Sequence, residues 1–474
     1  MDRRVLRREL GRLIGPEHVL EAAADSPYNH DSSGRPELVG RADAVALPGS
    51  GEEVAAVLGW CYERGVPIVA RGGGTGLTGG AVPSEGGVVC SLERLRSIGE
   101  LSPELWRMEV GAGMRTAEVK RLARENGLMF APDPGAAEQS QIGGNVATNA
   151  GGPHGLKYGV TGAWVAGLEV ALAPGELARI GGWTPKDVAG YDLRSLLVGS
   201  EGTLGVITAV KLRLLPAPEC ALALVAFLPS QADGCAAMLE ILAAGIQPSA
   251  LEFLDGSTVE IVAGGYPGEV PRGAGFALIV EVDGSREQAL AQIAAVREVL
   301  VDRVISIQEP PDAPALWRWR DGFNGVVTAA RGAKVSEDVA FPVERLGEGL
   351  RHFADIAAAH RLPACAWGHG GEGNVHATVL VDSASPIELE AARQVGEELF
   401  DAVAAMGGTI AAEHGVGTLK SGRLAARWDE RPVELHEQVK RAFDPRNLLN
   451  PATKVARAQA PSSATNDPGS VGIR

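Results

Sequence analysis

The pattern of apolar and polar positions changes near residue 217. Before that point a helical period runs through "GEEVAAVLGWCYERG", with Ser50 to cap its start and Gly65 to close its end. The apolar run "VPIVA" that follows is typical of a short buried strand. Short strands and glycine-rich turns alternate from there to Pro216, which predicts a first domain over residues 38–216.

Amphipathic helices and strands alternate after residue 217. "QADGCAAMLEILAAG" and "REQALAQIAAVREVLV" have helical periods, and "FALIVEVDG" between them is a strand. This alternation predicts an α+β domain over residues 217–455, with its sheet covered by helices on one side. Residues 1–37 predict a helical lead-in, and residues 456–474 have the small, polar composition of a disordered tail.

Charge and cysteine usage narrow the class of protein. A net charge of −15 argues against nucleic-acid binding, which depends on lysine and arginine at phosphates. The five cysteines form no C-x-x-C pair, so the sequence predicts neither an iron–sulfur cluster nor a zinc ribbon on this chain. Scattered thiols favour a reducing, cytoplasmic location. The arginine-rich first helix leaves attachment to the inner face of the membrane as the alternative to a solvated surface helix.

The loop "RGGGTGLTGG" at residues 71–80 contains the string G-x-G-x-x-G. A Rossmann turn needs a helix directly after its glycines, but Pro83 and the apolar run at residues 88–92 replace that helix by a second strand. Successive backbone N–H groups in such a strand–loop–strand element can still bind a pyrophosphate. A plain glycine-rich connection is the alternative. Two further glycine-rich segments, at residues 132–159 and 198–212, favour a large ligand held between loops.

Histidine and glutamate cluster in the second domain. In "CAWGHGGEGNVHATVLV", turn-forming residues separate His369 from His376, so the two flanks can pair as a hairpin that brings the imidazoles together. "GGTIAAEHGVGTLK" adds Glu413 and His414. Imidazole with carboxylate suits Zn²⁺, Mn²⁺ or Fe²⁺. On the residues alone, buried structural histidines remain the alternative.

Six segments together resemble a known family: "ARGGGTGLTGGAVP", "APDPG", "IGGNVATNAGG", "LKYG", "VAGYDL" and "GSEGTLGVIT". They are similar to the vanillyl-alcohol oxidase and p-cresol methylhydroxylase (PCMH) superfamily. Within it they resemble the FAD-linked oxidases that include glycolate oxidase flavin subunits, D-lactate dehydrogenases and D-2-hydroxyglutarate dehydrogenases. The resemblance covers residues 38–455 and implies a two-part PCMH-type FAD-binding domain followed by an α+β C-terminal substrate domain.

The resemblance implies a set of FAD contacts. The loop without histidine at residues 71–80 favours non-covalent FAD. His154 would lie near the flavin, with a supporting hydrogen-bonding role as the alternative. The implied contacts are, at the pyrophosphate, Gly72, Gly73, Gly74, Thr75, Gly76 and Thr78; at the isoalloxazine and ribityl parts, Pro132, Ile142, Gly143, Gly144, Asn145, Gly151 and Gly152; on the adenine side, Glu201, Gly202, Gly205 and Ile207; and, at the flavin, Asn450.

The resemblance also implies the chemistry of the histidine cluster. "GHGGEGNVH" and "EHGVG" match family motifs in which His369, His376 and Glu413 are ligands of a divalent metal, Zn²⁺ or Mn²⁺, and His414 is the active-site base. Asn374 matches a residue near the substrate. Glu372 departs from the family, which usually has aspartate at that position.

A 2-hydroxy acid needs a cation for its carboxylate, for which an arginine fork is well suited. "ALWRWRDGFNG" offers Arg318 and Arg320, and the resemblance favours Arg320. A cation–π surface cluster with the two tryptophans is the alternative. Lys334 is a second candidate. D-2-hydroxyglutarate dehydrogenases carry a substrate lysine where this chain has Ser336, which weakens the case for a dicarboxylate.

The implied activity is FAD-dependent oxidation of a D-2-hydroxy acid or glycolate to the 2-oxo acid, with hydride transfer to the flavin. Electrons would then pass to a separate acceptor: an iron–sulfur subunit, an electron-transfer flavoprotein or a quinone. We expect a homo-oligomer or a subunit of a complex. The alternatives are a non-catalytic flavin subunit of a larger oxidase and a flavoenzyme of the same superfamily with a different substrate.

Overall fold

The computed structural model describes residues 2–310 and 313–456, and the strands of its N-terminal part form two sheets and a short ladder. The first sheet has the order β1-β2-β4-β3 and contains β1 (Val19–Leu20), β2 (Ala44–Ala46), β3 (Ile68–Arg71) and β4 (Val88–Ser91). The second has the order β5-β6-β10-β8-β9 and contains β5 (Ile98–Ser102), β6 (Arg107–Gly111), β8 (Val165–Leu172), β9 (Glu176–Gly181) and β10 (Val206–Arg213). The ladder pairs β7 (Leu128–Met129) with β11 (Leu215–Pro216).

The C-terminal part is built on one sheet in which all neighbouring strands are antiparallel, in the order β15-β12-β14-β13-β17-β18-β16. Its strands are β12 (Cys220–Leu228), β13 (Ala250–Asp255), β14 (Phe276–Gly284), β15 (Ser306–Gln308), β16 (Ala333–Ala340), β17 (Ala364–His369) and β18 (Asn374–Val381). The expectation that helices cover one side only is wrong. Leu224 faces one buried cluster and Val225 faces another, because the apolar runs of β12 and β14 supply a core on both faces.

Helices pack on both parts, and the local sequence explains where several of them begin and end. The predicted helix is confirmed as Gly51–Arg64: the Ser50 side chain accepts from the N–H of Glu53, and Gly65 closes the helix with φ 68°. The described helices are α1 (Arg3–Ile14), α2 (Gly51–Arg64), α3 (Thr116–Glu125), α4 (Ile142–Thr148), α5 (Gly155–Tyr158), α6 (Leu193–Leu197), α7 (Gln231–Ala243), α8 (Gly256–Val262), α9 (Arg286–Leu300), α10 (Ala313–Asp321), α11 (Phe323–Ala329), α12 (Leu346–Ala359), α13 (Pro386–Ala405), α14 (Leu424–Arg427) and α15 (Glu430–Phe443).

The amphipathic helix α1 uses its apolar face for packing. Leu6, Leu10 and Ile14 are buried in the same core cluster as the first two sheets, and β1 pairs with β2. The apolar face of α1 is therefore packed against the protein core. Among the described helices, none combines the length and apolar composition needed to cross a bilayer. The domain boundaries stay a prediction, and the predicted disordered tail lies, apart from its first residue, outside the described residues.

Candidate functional site

The predicted histidine hairpin is confirmed. His369 ends β17, His376 lies in β18, and Gly373 between them adopts φ 71°, a left-handed turn conformation that favours glycine. The centroids of the two imidazole rings lie 5.4 Å apart. The turn residues, rather than the spacing of the two histidines, bring the rings together.

The three histidines of the second-domain motifs converge on one carboxylate oxygen. Glu413 Oε1 lies 3.3 Å from Nε2 of His369 and 3.6 Å from Nε2 of His376 and of His414. His369 and His376 are buried, whereas the His414 side chain keeps 27% of its surface exposed. The cluster is thus buried at His369 and His376 and accessible to solvent at His414.

Asp338 on β16 holds the backbone of the loop between α13 and α14, residues 406–423, which we call the Glu413 loop. Its Oδ2 accepts from the N–H groups of Ala412, Glu413 and His414 at 2.8, 2.9 and 3.0 Å. Its Oδ1 accepts from Asn374 Nδ2 at 2.7 Å. Although Asp338 lies within the cluster, these four hydrogen bonds make it a support for the loop.

Asn374 and Lys420 add to that support. The Asn374 amide also donates to the Val339 carbonyl at 3.0 Å, so the predicted substrate contact is oriented by β16. Lys420 Nζ donates to the carbonyls of Asp338 and Ile410 at 2.8 and 2.7 Å. Burial lowers the pKa of Lys420. The amine therefore ties the start of the Glu413 loop to the same strand.

Arg320 on α10 points into the protein and binds a buried carboxylate. Its Nε donates to Glu252 Oε2 at 2.7 Å, and Glu252 Oε1 lies 2.5 Å from His369 Nδ1. Burial opposes ionisation of Glu252, but the charges of Arg320 and His369 outweigh it and lower the pKa of Glu252 to about 2. The predicted substrate arginine thus belongs to the same network as the predicted metal ligands.

Lys334, the second candidate for a substrate cation, lies beside Asn324 and Trp367. Its Nζ hydrogen-bonds Asn324 Oδ1 and stands 5.2 Å from the centroid of the Trp367 ring. Burial lowers the pKa of Lys334 to about 8. The Ser336 hydroxyl, at the position of the substrate lysine in D-2-hydroxyglutarate dehydrogenases, is hydrogen-bonded to Thr378 at 2.8 Å.

The glycine loop at residues 71–80 lies against the Glu413 loop. Thr78 Oγ1 donates to the His414 carbonyl at 3.2 Å, and the Thr78 carbonyl accepts from the N–H groups of Thr418 and Leu419. A Cβ atom on Gly151 would lie 3.0 Å from Glu413 Oε2. Segments that are more than 250 residues apart in sequence therefore meet at one place.

Glycines of the loop and of α4 differ in what a side chain would meet there. Gly73 and Gly79 are required by the protein's own packing, since a Cβ atom there would lie 2.2 Å from the Gln139 carbonyl oxygen and 2.3 Å from Thr418 Oγ1. Gly76 meets no protein atom within 4 Å, and Gly144 meets only the Cα of Gly72 at 4.0 Å. Gly76 in the loop and Gly144 in α4 thus leave open space next to bare backbone, which fits a pyrophosphate cradle.

Several predicted FAD contacts have side chains that bind protein. Asn145 Nδ2 donates to Thr116 at 2.7 Å, and Asn450 Nδ2 donates to the Gly80 carbonyl at 2.6 Å. Glu201 accepts from the N–H groups of Val416 and Gly417 at 2.9 and 2.7 Å. The remaining predicted contacts are found in buried turns and elements: Pro132 before α4, Ile142 and Gly143 in α4, Gly152 at φ 132°, Gly202 at φ 72°, Gly205 before β10, and Ile207 in β10.

His154 connects the two parts of the chain. Its Nδ1 lies 3.1 Å from Asp133 Oδ2 and its Nε2 lies 2.9 Å from Glu281 Oε1 on β14. Burial alone would lower the pKa of His154, but hydrogen bonds and charge from the two carboxylates raise it to about 9. Both ring nitrogens of His154 therefore contact carboxylates of the protein, which favours the supporting hydrogen-bonding role for this residue.

Comparison with known proteins decides the family. The model of the C-terminal domain of FAD linked oxidases matches residues 217–453, and that of an FAD binding domain matches residues 42–181. The glycolate oxidase subunit GlcD of Bacillus subtilis (strain 168) is 35% identical over 95% of this chain and 97% of its own length. The chain belongs to the FAD-linked oxidases.

A second relative of this FAD-linked oxidase agrees in family, and a solved structure agrees in fold. The D-lactate dehydrogenase of Archaeoglobus fulgidus is 35% identical over 87% of this chain and 91% of its own length. The structure of p-cresol methylhydroxylase with bound substrate covers 96% of this chain, with a TM-score of 0.80 at 19% identity. The predicted fold of a PCMH-type FAD-binding domain followed by an α+β domain is confirmed.

Alanine at Gly76 is expected to weaken FAD binding without destabilising the apoprotein. A Cβ atom there meets no protein atom within 4 Å, so the fold does not require glycine. The methyl group would instead stand where the pyrophosphate approaches the backbone, at a cost of about tenfold in affinity, or roughly 1.4 kcal/mol. Titration of apoprotein with FAD measures the change. Gly264→Ala, also with no atom within 4 Å, is the matched control, and unchanged affinity in Gly76→Ala would contradict the cradle.

Three supporting residues were missed by sequence reasoning: Glu252, Asp338 and Lys420. Glu252 had a signal, since it is a charge between Leu251 and Phe253 in the strand "ALEFLD". Asp338 did not stand out in the same way, because the strand "AKVSEDVA" also contains Lys334, Ser336 and Glu337. Lys420 had no signal, because "GVGTLKSG" is a turn-like sequence in which an exposed lysine is the default expectation.

Proposed function

We propose that this FAD-linked oxidase oxidises a small 2-hydroxy monocarboxylic acid to the 2-oxo acid, with FAD as the hydride acceptor. The observation that carries the proposal is the convergence of three imidazole Nε2 atoms on Glu413 directly beside the glycine loop. Relatives named for glycolate and for D-lactate support the substrate class. The experiment described below identifies which of these acids is the substrate.

A divalent metal, Zn²⁺ or Mn²⁺, would be held by His369, His376 and Glu413. The donor set of imidazole nitrogens and a carboxylate oxygen suits these ions. Burial lowers the pKa of His376 to about 3, whereas at His369 the charges of Glu252 and Glu413 outweigh burial and raise the pKa to about 10, so metal binding at His369 would release a proton. A bound cation supplies charge that lowers the pKa of a substrate hydroxyl.

His414 is the proposed base that takes the hydroxyl proton. Its backbone is fixed on both sides, by Asp338 at the N–H and by Thr78 at the carbonyl, while its ring stays partly exposed. A held backbone with an accessible imidazole is the arrangement that general-base catalysis requires. The glycine loops would hold FAD, which would supply the acceptor for the hydride of the substrate carbon.

Arg320 is proposed to bind the substrate carboxylate, with Asn374 completing the site. Arg320 lies in the same network as His369 through Glu252, which keeps the cation close to the proposed metal ligands. With Ser336 in place of a second lysine and already bonded to Thr378, the site favours a monocarboxylate.

Electrons would leave for a separate acceptor, because the five scattered cysteines provide no cluster motif. An iron–sulfur subunit, an electron-transfer flavoprotein and a quinone remain the candidate acceptors. The relative from Bacillus subtilis is named as a subunit, which supports assembly into a larger complex. The complete histidine and glutamate cluster favours a catalytic subunit over a non-catalytic one.

Anaerobic mixing of the FAD-loaded protein with glycolate, D-lactate, L-lactate and D-2-hydroxyglutarate tests the proposal. At least one monocarboxylate is expected to bleach the flavin absorbance. Treatment with EDTA should abolish the bleaching, and added Zn²⁺ or Mn²⁺ should restore it. A flavin that no 2-hydroxy acid reduces would overturn the proposal, and bleaching by a phenol instead would favour the rival flavoenzyme class.

A further inference from the structure

Glu252 is a carboxylate in the middle of a buried strand. It is 2% exposed, and its neighbours on β13 in "ALEFLD" are buried too. Burying a carboxylate is costly unless its oxygens are fully paired. The cost of burying this carboxylate therefore indicates that its negative charge has a role that an apolar residue at position 252 could not fill.

The two oxygens of Glu252 bind two different elements of the site. Glu252 pairs directly with His369 in the β13–β17 ladder, and Oε1 lies 2.5 Å from His369 Nδ1. Oε2 lies 2.7 Å from Nε and 2.5 Å from Nη2 of Arg320 on α10. One carboxylate thus joins a residue from the end of a strand to a residue from a helix 49 positions earlier in the sequence (369 − 320).

We infer that Glu252 is a positioning residue that sets the spacing between the metal ligand His369 and the substrate arginine Arg320. The inference rests on the proposed function and deepens it. With a metal bound, a carboxylate that accepts from Nδ1–H of His369 would leave Nε2, the nitrogen on the side of Glu413, as the ligand atom. The same carboxylate holds one edge of the Arg320 guanidinium, whose Nη1 donors Glu252 does not use.

The chemistry of the substrate explains why a shared anchor is useful. A 2-hydroxy acid carries its carboxylate and its hydroxyl on adjacent carbons, so the groups that bind them must stand at a fixed separation. If His369 and Arg320 were each held by a separate element, the distance between them could vary. A single buried carboxylate between them fixes that separation, and displacements of about 1 Å are enough to cost a large factor in rate.

The test uses the full-length, FAD-loaded protein with Glu252→Gln, Glu252→Asp and a control on the same strand. Asp255 is a half-buried carboxylate at the end of β13 that accepts from the N–H groups of Thr258 and Ala366, so Asp255→Asn is the matched control. Two quantities are measured: the affinity of the metal-stripped protein for Zn²⁺ and Mn²⁺ by calorimetry, and KM and kcat for the acid that bleaches the flavin.

Glu252→Gln is expected to weaken metal affinity about 10–100-fold and to raise KM, since an amide can serve only one of its two partners as the carboxylate does. Glu252→Asp keeps the charge but is one methylene shorter, so it should fold and still raise KM. Arg320→Lys should raise KM while metal affinity stays within about threefold of wild type. Asp255→Asn should change neither quantity.

The outcomes separate this inference from the proposed function. If the wild-type protein binds no metal and oxidises no 2-hydroxy acid, the proposed function fails. If the wild type does both, and Glu252→Gln and Glu252→Asp match Asp255→Asn in metal affinity and KM, only the positioning role fails. A loss of metal affinity without any change in KM would equally overturn the shared-anchor role.

Discussion

Replacing His414 with alanine is expected to slow reduction of the flavin by a 2-hydroxy acid about 10²–10⁴-fold while FAD stays bound. That range is the usual contribution of a general base. FAD should remain because the loop is held by backbone groups that the substitution keeps: the N–H bonded to Asp338 and the carbonyl bonded to Thr78. Rapid anaerobic mixing, followed by flavin absorbance, gives the rate.

Metal content separates the two roles open to this imidazole. Nε2 of His414 and Nε2 of His376 lie equally far, 3.6 Å, from Glu413 Oε1, so distance alone does not distinguish a base from a ligand. If His414→Ala keeps its metal and loses its rate, His414 is the base. Loss of metal together with rate would make it a ligand, and a wild-type rate would exclude both roles. His352→Ala, on the exposed face of α12, is the control.

The sequence predicted those features whose cause is local. Pro83 and the strand after it exclude a Rossmann helix whatever the rest of the chain does, and β4 confirms that strand at Val88–Ser91. The hairpin of His369 and His376 follows from the turn residues between them, and it is confirmed. In both cases a few neighbouring residues fix the backbone.

The residues that sequence reasoning missed depend on contacts between distant segments. The role of Glu252 follows from the register of β13 with β17, and that of Asp338 follows from a loop more than 70 residues later. A polar residue in an apolar strand indicates that it has a polar partner, but the sequence does not show which residue that partner is. The one-sided sheet was wrong for the same kind of reason, since helices from separate segments cover the two faces.

Replacing Asp338 with alanine is expected to lower the free energy of unfolding by about 3–5 kcal/mol and to abolish flavin reduction by substrate. The carboxylate is 2% exposed and accepts four hydrogen bonds, three of them from consecutive backbone N–H groups. Removing it leaves those four donors without an acceptor, although Lys420 keeps its bonds to the backbone carbonyls of Asp338 and Ile410, and removal of one partner from a buried hydrogen-bonded network has costs of that size. The Glu413 loop would then lose the geometry of both the proposed ligand and the proposed base.

Urea unfolding of the FAD-loaded protein measures the stability loss, and calorimetry with Zn²⁺ or Mn²⁺ measures the loss of the site. Asp255→Ala is the control, because Asp255 lies in the same sheet and accepts from two backbone N–H groups, that of Thr258 in α8 and that of Ala366 in β17, but from none in the Glu413 loop. Its stability should fall while metal affinity and flavin reduction per folded molecule persist. If Asp338→Ala is less stable but keeps the wild-type metal affinity and rate of flavin reduction, the Glu413 loop keeps its conformation without the Asp338 carboxylate. The four hydrogen bonds would then stabilise the fold without positioning Glu413 and His414.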